Sequence, residues 1–267
     1  MITVGNAIKD IFQFPVVGTG FYYVWSRNVL NFKRNFVSSL LWLLLEPLFY
    51  LLAIGYGVGY YIGSVNGVSF LNFYFPALVS TTAMLISFYE GTYGCFRKLR
   101  YQRTYEVCLR TPISVTELAV GEISWGATKG FLSALFISLI ALNLDLLTLE
   151  QLFPFLLVQA MLGWLFSALG MLLTTMAKSF EFFSVLQIAL ILPMALFSTT
   201  YFPIERIPEF LWPLIYVSPL THGVSASRAI SLDQTSSFFF LNLAVLFSFS
   251  VIFTNWSSSR LKRILID

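Results

Sequence analysis

The sequence predicts an all-α integral membrane protein. It is read as six membrane-crossing helices, an amphipathic helix ahead of the first, and short re-entrant helices between helices five and six. Three observations lead there. The 267 residues are 57% hydrophobic and only 11% charged, with a mean hydropathy of +0.78. A soluble domain carries roughly 25% charged residues, so this chain has too few to cover a water-facing surface. Apolar runs that reach the ~20 residues needed to cross a bilayer recur along the chain. Cations gather in alternate connections between those runs, which sets a sidedness. The length accommodates a single membrane domain over 1–267 and leaves little room for a soluble catalytic one.

Residues 1–20 form a short mixed arm with Lys9 and Asp10. They lack a basic stretch followed by an apolar core and a cleavage site, so insertion is expected to begin with the first membrane helix. In the segment that follows, Phe21, Trp25, Val29, Phe32 and Phe36 recur at spacings of three and four. Arg27, Asn28, Asn31, Arg34 and Asn35 take the other side, as suits a helix lying in the membrane interface over about 18–35. The expected spans are 36–61, broken by Glu46-Pro47; 70–93, with Glu90 near its end; 118–142, with Glu122 and Lys129; 152–176; 182–200; and 238–256. The loop 63–69 is uncharged and contains two glycines. Residues 201–237 carry Pro203, Pro208, Pro213 and Pro219 among large apolar side chains. That stretch is too apolar for a free loop and too broken to span. Short helices dipping into the outer leaflet, covering an outer mouth, would satisfy both constraints.

The stretch from Glu90 to Lys129 organises the rest. Its middle holds Arg97, Lys98, Arg100, Arg103 and Arg110, opposed only by Glu106. A basic loop between two spans is expected on the cytoplasmic side. The other cations agree. Lys9, Arg27, Lys33 and Arg34 precede the first span, Lys178 lies between the fourth and fifth, and Arg260, Lys262 and Arg263 follow the last. The opposite loops hold only Arg206 and Arg228, so both termini are expected in the cytoplasm.

Charges inside a span are costly and need a partner or water. Glu46, Glu90, Glu122 and Lys129 form the candidate intramembrane ion network. Glu122 and Lys129 are seven residues apart, on one helix face and about 10 Å from each other along it. Lys129 is expected to pair with Glu122 or Glu46, and these pairs are expected to lock helices together rather than touch substrate. Gly55, Gly57, Gly59 and Gly63, and Gly163, Ala168 and Gly170, allow close helix approach. Tyr50, Tyr56, Tyr60 and Tyr61 suit either the membrane interface or stacking on sugar rings.

Several functions are excluded. The net charge of +3 is small and its positives are local, which argues against nucleic acid. One histidine, His222, with no acidic cluster beside it, fits no zinc signature and no catalytic constellation for a lipid enzyme. Cys95 and Cys108 fall in the basic loop and read as free thiols of a reducing compartment. No Gly-Lys pair occurs, so the chain holds no P-loop. An ion-coupled secondary transporter stays as the alternative reading; it would need discontinuous midplane helices and usually an internal repeat, and no convincing repeat relates 36–142 to 152–256.

Particular residues carry a family resemblance. They are Glu46-Pro47, Tyr89-Glu90 with Tyr93, Phe96-Arg97, Gln102-Arg103-Thr104-Tyr105-Glu106 and Thr111-Pro112. Further on stand Gly121-Glu122 with Trp125, Thr128-Lys129, Phe202-Pro203, Pro208 and Ser218-Pro219-Leu220-Thr221-His222. In these the chain resembles the ABC-2 type permeases, and among them the NodJ-like branch of nodulation-factor and related exporters. The resemblance covers nearly everything after about residue 20. It implies a six-helix subunit with a connecting helix at 18–35. It implies a coupling helix at 94–112 that docks on a separate ATPase, with Arg97, Lys98, Arg100, Arg103, Thr104, Tyr105 and Glu106 as coupling residues. It also implies outer re-entrant helices at 202–230, with Phe202, Pro203, Pro208, Pro219 and His222 at the outer gate. Two permease chains, usually identical, and two ATPase chains would make the exporter, in the inner membrane of a bacterium. This chain would hold no cofactor, and ATP and Mg would bind the partner ATPase. Substrates of the wider family are lipid-linked oligosaccharides, polysaccharides and some drugs; the 28 phenylalanines here would also suit a lipid or drug.

Overall fold

A computed structural model describes residues 17–234 and 238–266. The arm ahead of residue 17, with Lys9, lies outside the described residues. The order is α1 (Gly20–Arg34), α2 (Phe36–Ile62), a hairpin of β1 (Ser64–Val65) and β2 (Val68–Ser69), α3 (Phe70–Tyr101) and α4 (Thr104–Cys108). Then come α5 (Val115–Leu142), α6 (Leu149–Met176), α7 (Glu181–Phe197), α8 (Trp212–Val217), α9 (Pro219–Ser231) and α10 (Phe239–Ile266).

Among the described residues, α2, α3, α5, α6 and α10 are long and apolar enough to cross a membrane. The remaining expected span is the shorter apolar helix α7. The second expected span does not stop at residue 93: α3 continues through the basic residues to Tyr101.

Local chemistry sets the ends of these helices. Ser114 with Glu117, and Thr148 with Gln151, form reciprocal capping boxes that start α5 and α6. Asn66 and Gly67 both take positive φ (52° and 81°), the backbone of a two-residue hairpin turn, so the expected loop closes as a hairpin. Three prolines, Pro47, Pro76 and Pro154, lie inside membrane-length helices, and at Pro47 a neighbouring polar group accounts for the opened backbone. Pro47 deprives the Leu43 carbonyl of its partner, and Ser133 Oγ on α5 donates to it at 2.6 Å. Pro76 leaves the Asn72 carbonyl open, and the next carbonyl along, that of Phe73, accepts from Arg228 Nε at 3.1 Å. The helices also contain π-helical turns at Leu51–Val58, Glu90–Gly94, Arg97–Tyr101 and Gln187–Ile191.

The core is built on α6, which packs against α3, α5, α9 and α10. Its crossing with α3 is close because Gly91 and Gly170 face each other; a Cβ on Gly91 would come within 2.5 Å of the Ser167 carbonyl oxygen. Gln159 on α6 donates to Ser80 on α3 and Ser227 on α9, tying three helices at one buried point. The windows that would sit in a membrane differ sharply in burial, at 83% for α3 but 17% for α2. Thus α2 lies on the flank of the bundle, mainly against α3 and α5, with its start meeting the end of α1.

α1 lies across α5, and its buried face differs from the stripe read in the sequence. Gly20, Val24 and Asn28 point inward, and Gly121 leaves room for Val24 and the Phe21 carbonyl. Phe32 meets Trp125 edge-on, and Trp25 Nε1 donates to Thr128 Oγ1 at 3.0 Å. The helix therefore docks on protein through a polar-apolar mixture that combines Gly20, Val24 and Asn28 with Trp25 and Phe32 of its aromatic stripe.

Candidate functional site: the charged junction and the groove above it

The basic stretch divides by face. Arg97, Arg100, Arg103, Glu106 and Arg110 are exposed, whereas Lys98 and Tyr105 are buried and Thr104 is half-buried. Helical geometry explains the split, since successive residues point ~100° apart. Arg103 takes a left-handed backbone (φ 49°) at the break between α3 and α4, which lets α4 fold back beneath the bundle. Burial among apolar neighbours pushes the Tyr105 phenol well above the ordinary tyrosine value.

Lys98 enters a buried chain of charge. Its ammonium donates to Glu122 Oε2 at 2.7 Å and to Glu90 Oε1 at 3.2 Å. Glu90 Oε2 accepts from Lys129 Nζ at 2.8 Å. Glu122, fully buried, also accepts from Arg27 Nη2 and from Asn28 Nδ2. Arg27 Nη1 reaches Cys108 Sγ at 2.8 Å, and Cys95 lies beside Glu122. The line Lys129–Glu90–Lys98–Glu122–Arg27 thus joins α5, α3 and α1, and its end touches α4.

Two expectations change here. Lys129 pairs with Glu90, and not with Glu122 or Glu46. Glu46 stays outside the network: it is exposed and makes no hydrogen bond or ion pair to any described residue. The reason is the helix crossing. Glu122 faces α1 and the inward side of α3, while Lys129, two turns further along α5, faces the start of the π-turn that carries Glu90. Arg27, Asn28 and Lys98 are the members missed in the sequence, where the first two were assigned to the polar side of α1 and Lys98 to the coupling segment.

An aromatic cluster flanks the junction. Tyr93, Phe96 and Tyr101 on α3 meet Phe180 at 6.0, 5.0 and 5.3 Å between ring centres, and Phe183 on α7 packs on Tyr93 and Phe96. Above it, α2, α3 and α7 enclose a groove of about 240 Å³. The groove extends along α3 from Tyr89, where Gln187 Nε2 donates to the tyrosine hydroxyl at 2.7 Å, to Tyr74, which stacks on Tyr201. That is about 22 Å of helix. Glu46 and Tyr50 form its α2 wall. Of the tyrosines singled out in the sequence, Tyr50 lines the groove, while Tyr56, Tyr60 and Tyr61 are exposed beyond it.

The segment after α7 closes the far end. Two single 3₁₀ turns, Ile204–Arg206 and Glu209–Leu211, precede α8 and α9. Phe202 and Pro208 are exposed, Pro203 is half-buried, and Pro219 is buried at the start of α9. His222 is half-buried, with Nδ1 2.8 Å from Asn242 Oδ1 and Nε2 3.0 Å from the Tyr216 carbonyl. Arg228, read in the sequence as a loop cation, is instead packed into the bundle. Its guanidinium lies 3.7 Å over the Phe73 ring, and besides Phe73 it donates to the Thr199 hydroxyl and carbonyl. Arginine's rigid fork suits this use, because it satisfies several carbonyls at once.

Among the described residues no cluster of His, Cys, Asp or Glu could hold a metal. Together the helices, the buried ion chain at one end and the groove behind it define a multi-pass helical membrane protein of the transporter class. The match to known families is specific. Residues 19–232 fit the ABC-2 type transporter family, and the chain belongs to that family. It is 33% identical to Nodulation protein J of Rhizobium meliloti (strain 1021), over 93% of this chain and 95% of that one. It is 32% identical to Nodulation protein J of Rhizobium leguminosarum bv. viciae, over 93% and 96%. It is also similar to the inner membrane transport permease YadH of Escherichia coli (strain K12), 22% identical over 77% and 80%. No solved structure matches. The chain is thus a membrane permease of an ABC transporter.

Proposed function

We propose that the chain is the membrane subunit of an ATP-driven exporter that works with two copies of a separate ABC ATPase and with a second, identical permease chain. It crosses the bacterial inner membrane six times, with α7 as the fifth crossing and both termini in the cytoplasm. The chain takes no cofactor itself, and the partner ATPase holds ATP and Mg. The substrate is an amphiphile moved outward: a lipid-linked oligosaccharide, a polysaccharide or a drug-like molecule. Glu46, Glu90, Glu122 and Lys129 serve the permease, and Phe202, Pro203, Pro208, Pro219 and His222 belong to its outer gate.

The single observation that carries this reading is the two-faced basic segment. Arg97, Arg100 and Arg103 face outward, free to meet an acidic cleft. Lys98, in the same two turns, is bonded to Glu122 and Glu90. A push on the arginines is therefore delivered to α5 and, through Glu122, to α1. Buried ion pairs suit transmission, because moving one charge without its partner is costly.

The test is purification of the tagged chain from its native membrane, with ATPase activity measured in the eluate, beside an Arg100→Glu, Arg103→Glu variant. A P-loop ATPase is expected with the wild type and is expected to be lost or uncoupled in the variant. Absence of any ATPase from a folded wild type would overturn the exporter reading and favour ion-coupled transport.

A further inference from the structure

We infer that the groove between α2, α3 and α7 is a head-group site for a hydroxyl-rich, positively charged amphiphile, and that Glu46 is the residue that sets this charge preference. The inference rests on the exporter reading and adds to it the chemistry of the cargo.

The charge around the groove is one-sided. Among the described residues, Glu46 on α2 is the only charged one lining it. Between Tyr74 and Tyr89, α3 offers hydroxyls and apolar side chains; α7 offers Gln187. Of the nearby cations, Arg97 at the adjoining cleft is exposed, and the others are committed elsewhere. Lys129 is bonded to Glu90, and Lys98 to Glu90 and Glu122. Arg228, behind Thr199 and Thr200 at the far end, spends its donors on backbone carbonyls and the Thr199 hydroxyl. A carboxylate without a cation, in a low-dielectric cleft, attracts a positive head and repels a phosphate or carboxylate head.

The second observation is hydrogen-bonding capacity left unused. Thr81 and Thr200 are more than nine-tenths buried, line the groove, and have hydroxyl oxygens without a partner. Polar atoms in such positions are normally bonded, so unpaired ones beside a groove signal a ligand that supplies the missing groups. Tyr50, Tyr74, Tyr89 and Tyr201 add rings whose faces suit pyranose stacking and whose hydroxyls suit sugar oxygens. A simple apolar drug would leave the Thr81 and Thr200 hydroxyls unsatisfied.

The test uses the full chain in nanodiscs of neutral phosphatidylcholine, with binding to empty discs subtracted. Four radiolabelled probes share a dodecyl tail: an amino-glucoside, a glucoside, a glucuronide and a trimethylammonium. The amino-glucoside is expected to bind about tenfold more tightly than the glucuronide, as one unscreened charge contact implies, with the glucoside between them. Glu46→Gln is expected to narrow the spread to about twofold, and Glu46→Asp to retain it. The trimethylammonium probe, a cation without hydroxyls, is expected to bind more weakly than the amino-glucoside. An unchanged order in Glu46→Gln, or a preference for the glucuronide, would overturn the role of Glu46. Equal binding of the trimethylammonium probe would overturn the sugar part. Binding no greater than to empty discs would overturn the site, leaving the groove to a second copy of the chain. None of these outcomes depends on the ATPase, so the exporter reading stands or falls separately.

Discussion

Glu122 accepts from three side chains, Arg27, Asn28 and Lys98, and is fully buried. Replacing it by Gln keeps the shape but leaves Arg27 without its carboxylate and Lys98 with Glu90 alone, which it shares with Lys129. Removing one member of a buried pair costs about 3–5 kcal/mol. We expect Glu122→Gln to lower the thermal midpoint of the purified permease in detergent far more than Lys129→Met, because Glu90 keeps Lys98 as partner in the second variant. Equal midpoints for the two variants would refute the central place of Glu122. The sequence marked Glu46, Glu90, Glu122 and Lys129 as charges needing partners, and the structure supplies partners for all of them but Glu46. The sequence named the wrong partners for Lys129, Glu122 or Glu46 in place of Glu90, since helical spacing fixes neighbours along one helix while partners on another depend on how the two cross. Arg27 illustrates this: on an isolated α1 it belongs to the polar side, and only docking on α5 turns that side inward.

At the scale of helices, the periodicity and hydropathy of the chain anticipated nearly every long element. Gly163 and Gly170 were legible as close-approach residues, and both do face α3 or its neighbours. Gly91 was not, because its role depends on α6 lying opposite. A side chain at Gly91 would collide with the backbone of Ser167 and Gly170, which cannot swing aside as a flexible side chain could. Overpacking of this kind typically costs about 1–3 kcal/mol, and Gly91→Val should lie at the upper end. The expected result is a lower thermal midpoint together with loss of the Thr174 hydroxyl's contact with the Gly91 carbonyl, read as faster proteolysis near residue 102, where α3 ends. Wild-type stability in Gly91→Val would mean that α3 and α6 are not in tight contact. The hairpin at Asn66-Gly67 and the docking of α1 were less legible. The first turns on two residues with positive φ, and the second on a face that mixes Val24 with Asn28.

For the whole molecule, α2 is the unfinished surface. Leu45, Phe49 and Leu52 are exposed along one side of it, with Trp42 and Glu46 beside them. A carboxylate in the middle of a helix turned toward lipid costs about 2.5–3.5 kcal/mol even by insertion scales, so this face calls for protein or water. A second copy related by a two-fold axis is the economical cover, since the same patch then meets itself. Residues near such an axis approach their own counterparts, and a disulfide forms only when Cβ atoms come within about 4.5 Å. We expect mild oxidation in native membranes to give a disulfide-linked dimer for at least one of Leu45→Cys, Phe49→Cys and Leu52→Cys, which sample successive turns of that side. Leu157→Cys, exposed on α6 at the other flank, should stay monomeric on the same gel. The native thiols do not confuse the result, as Cys95 is buried and Cys108 is tucked against Arg27. A dimer through Leu157→Cys and none through α2 would move the two-fold axis to α6 and α10. The groove would then open to lipid rather than to a path between two chains, and Glu46 would have to be paired by substrate alone.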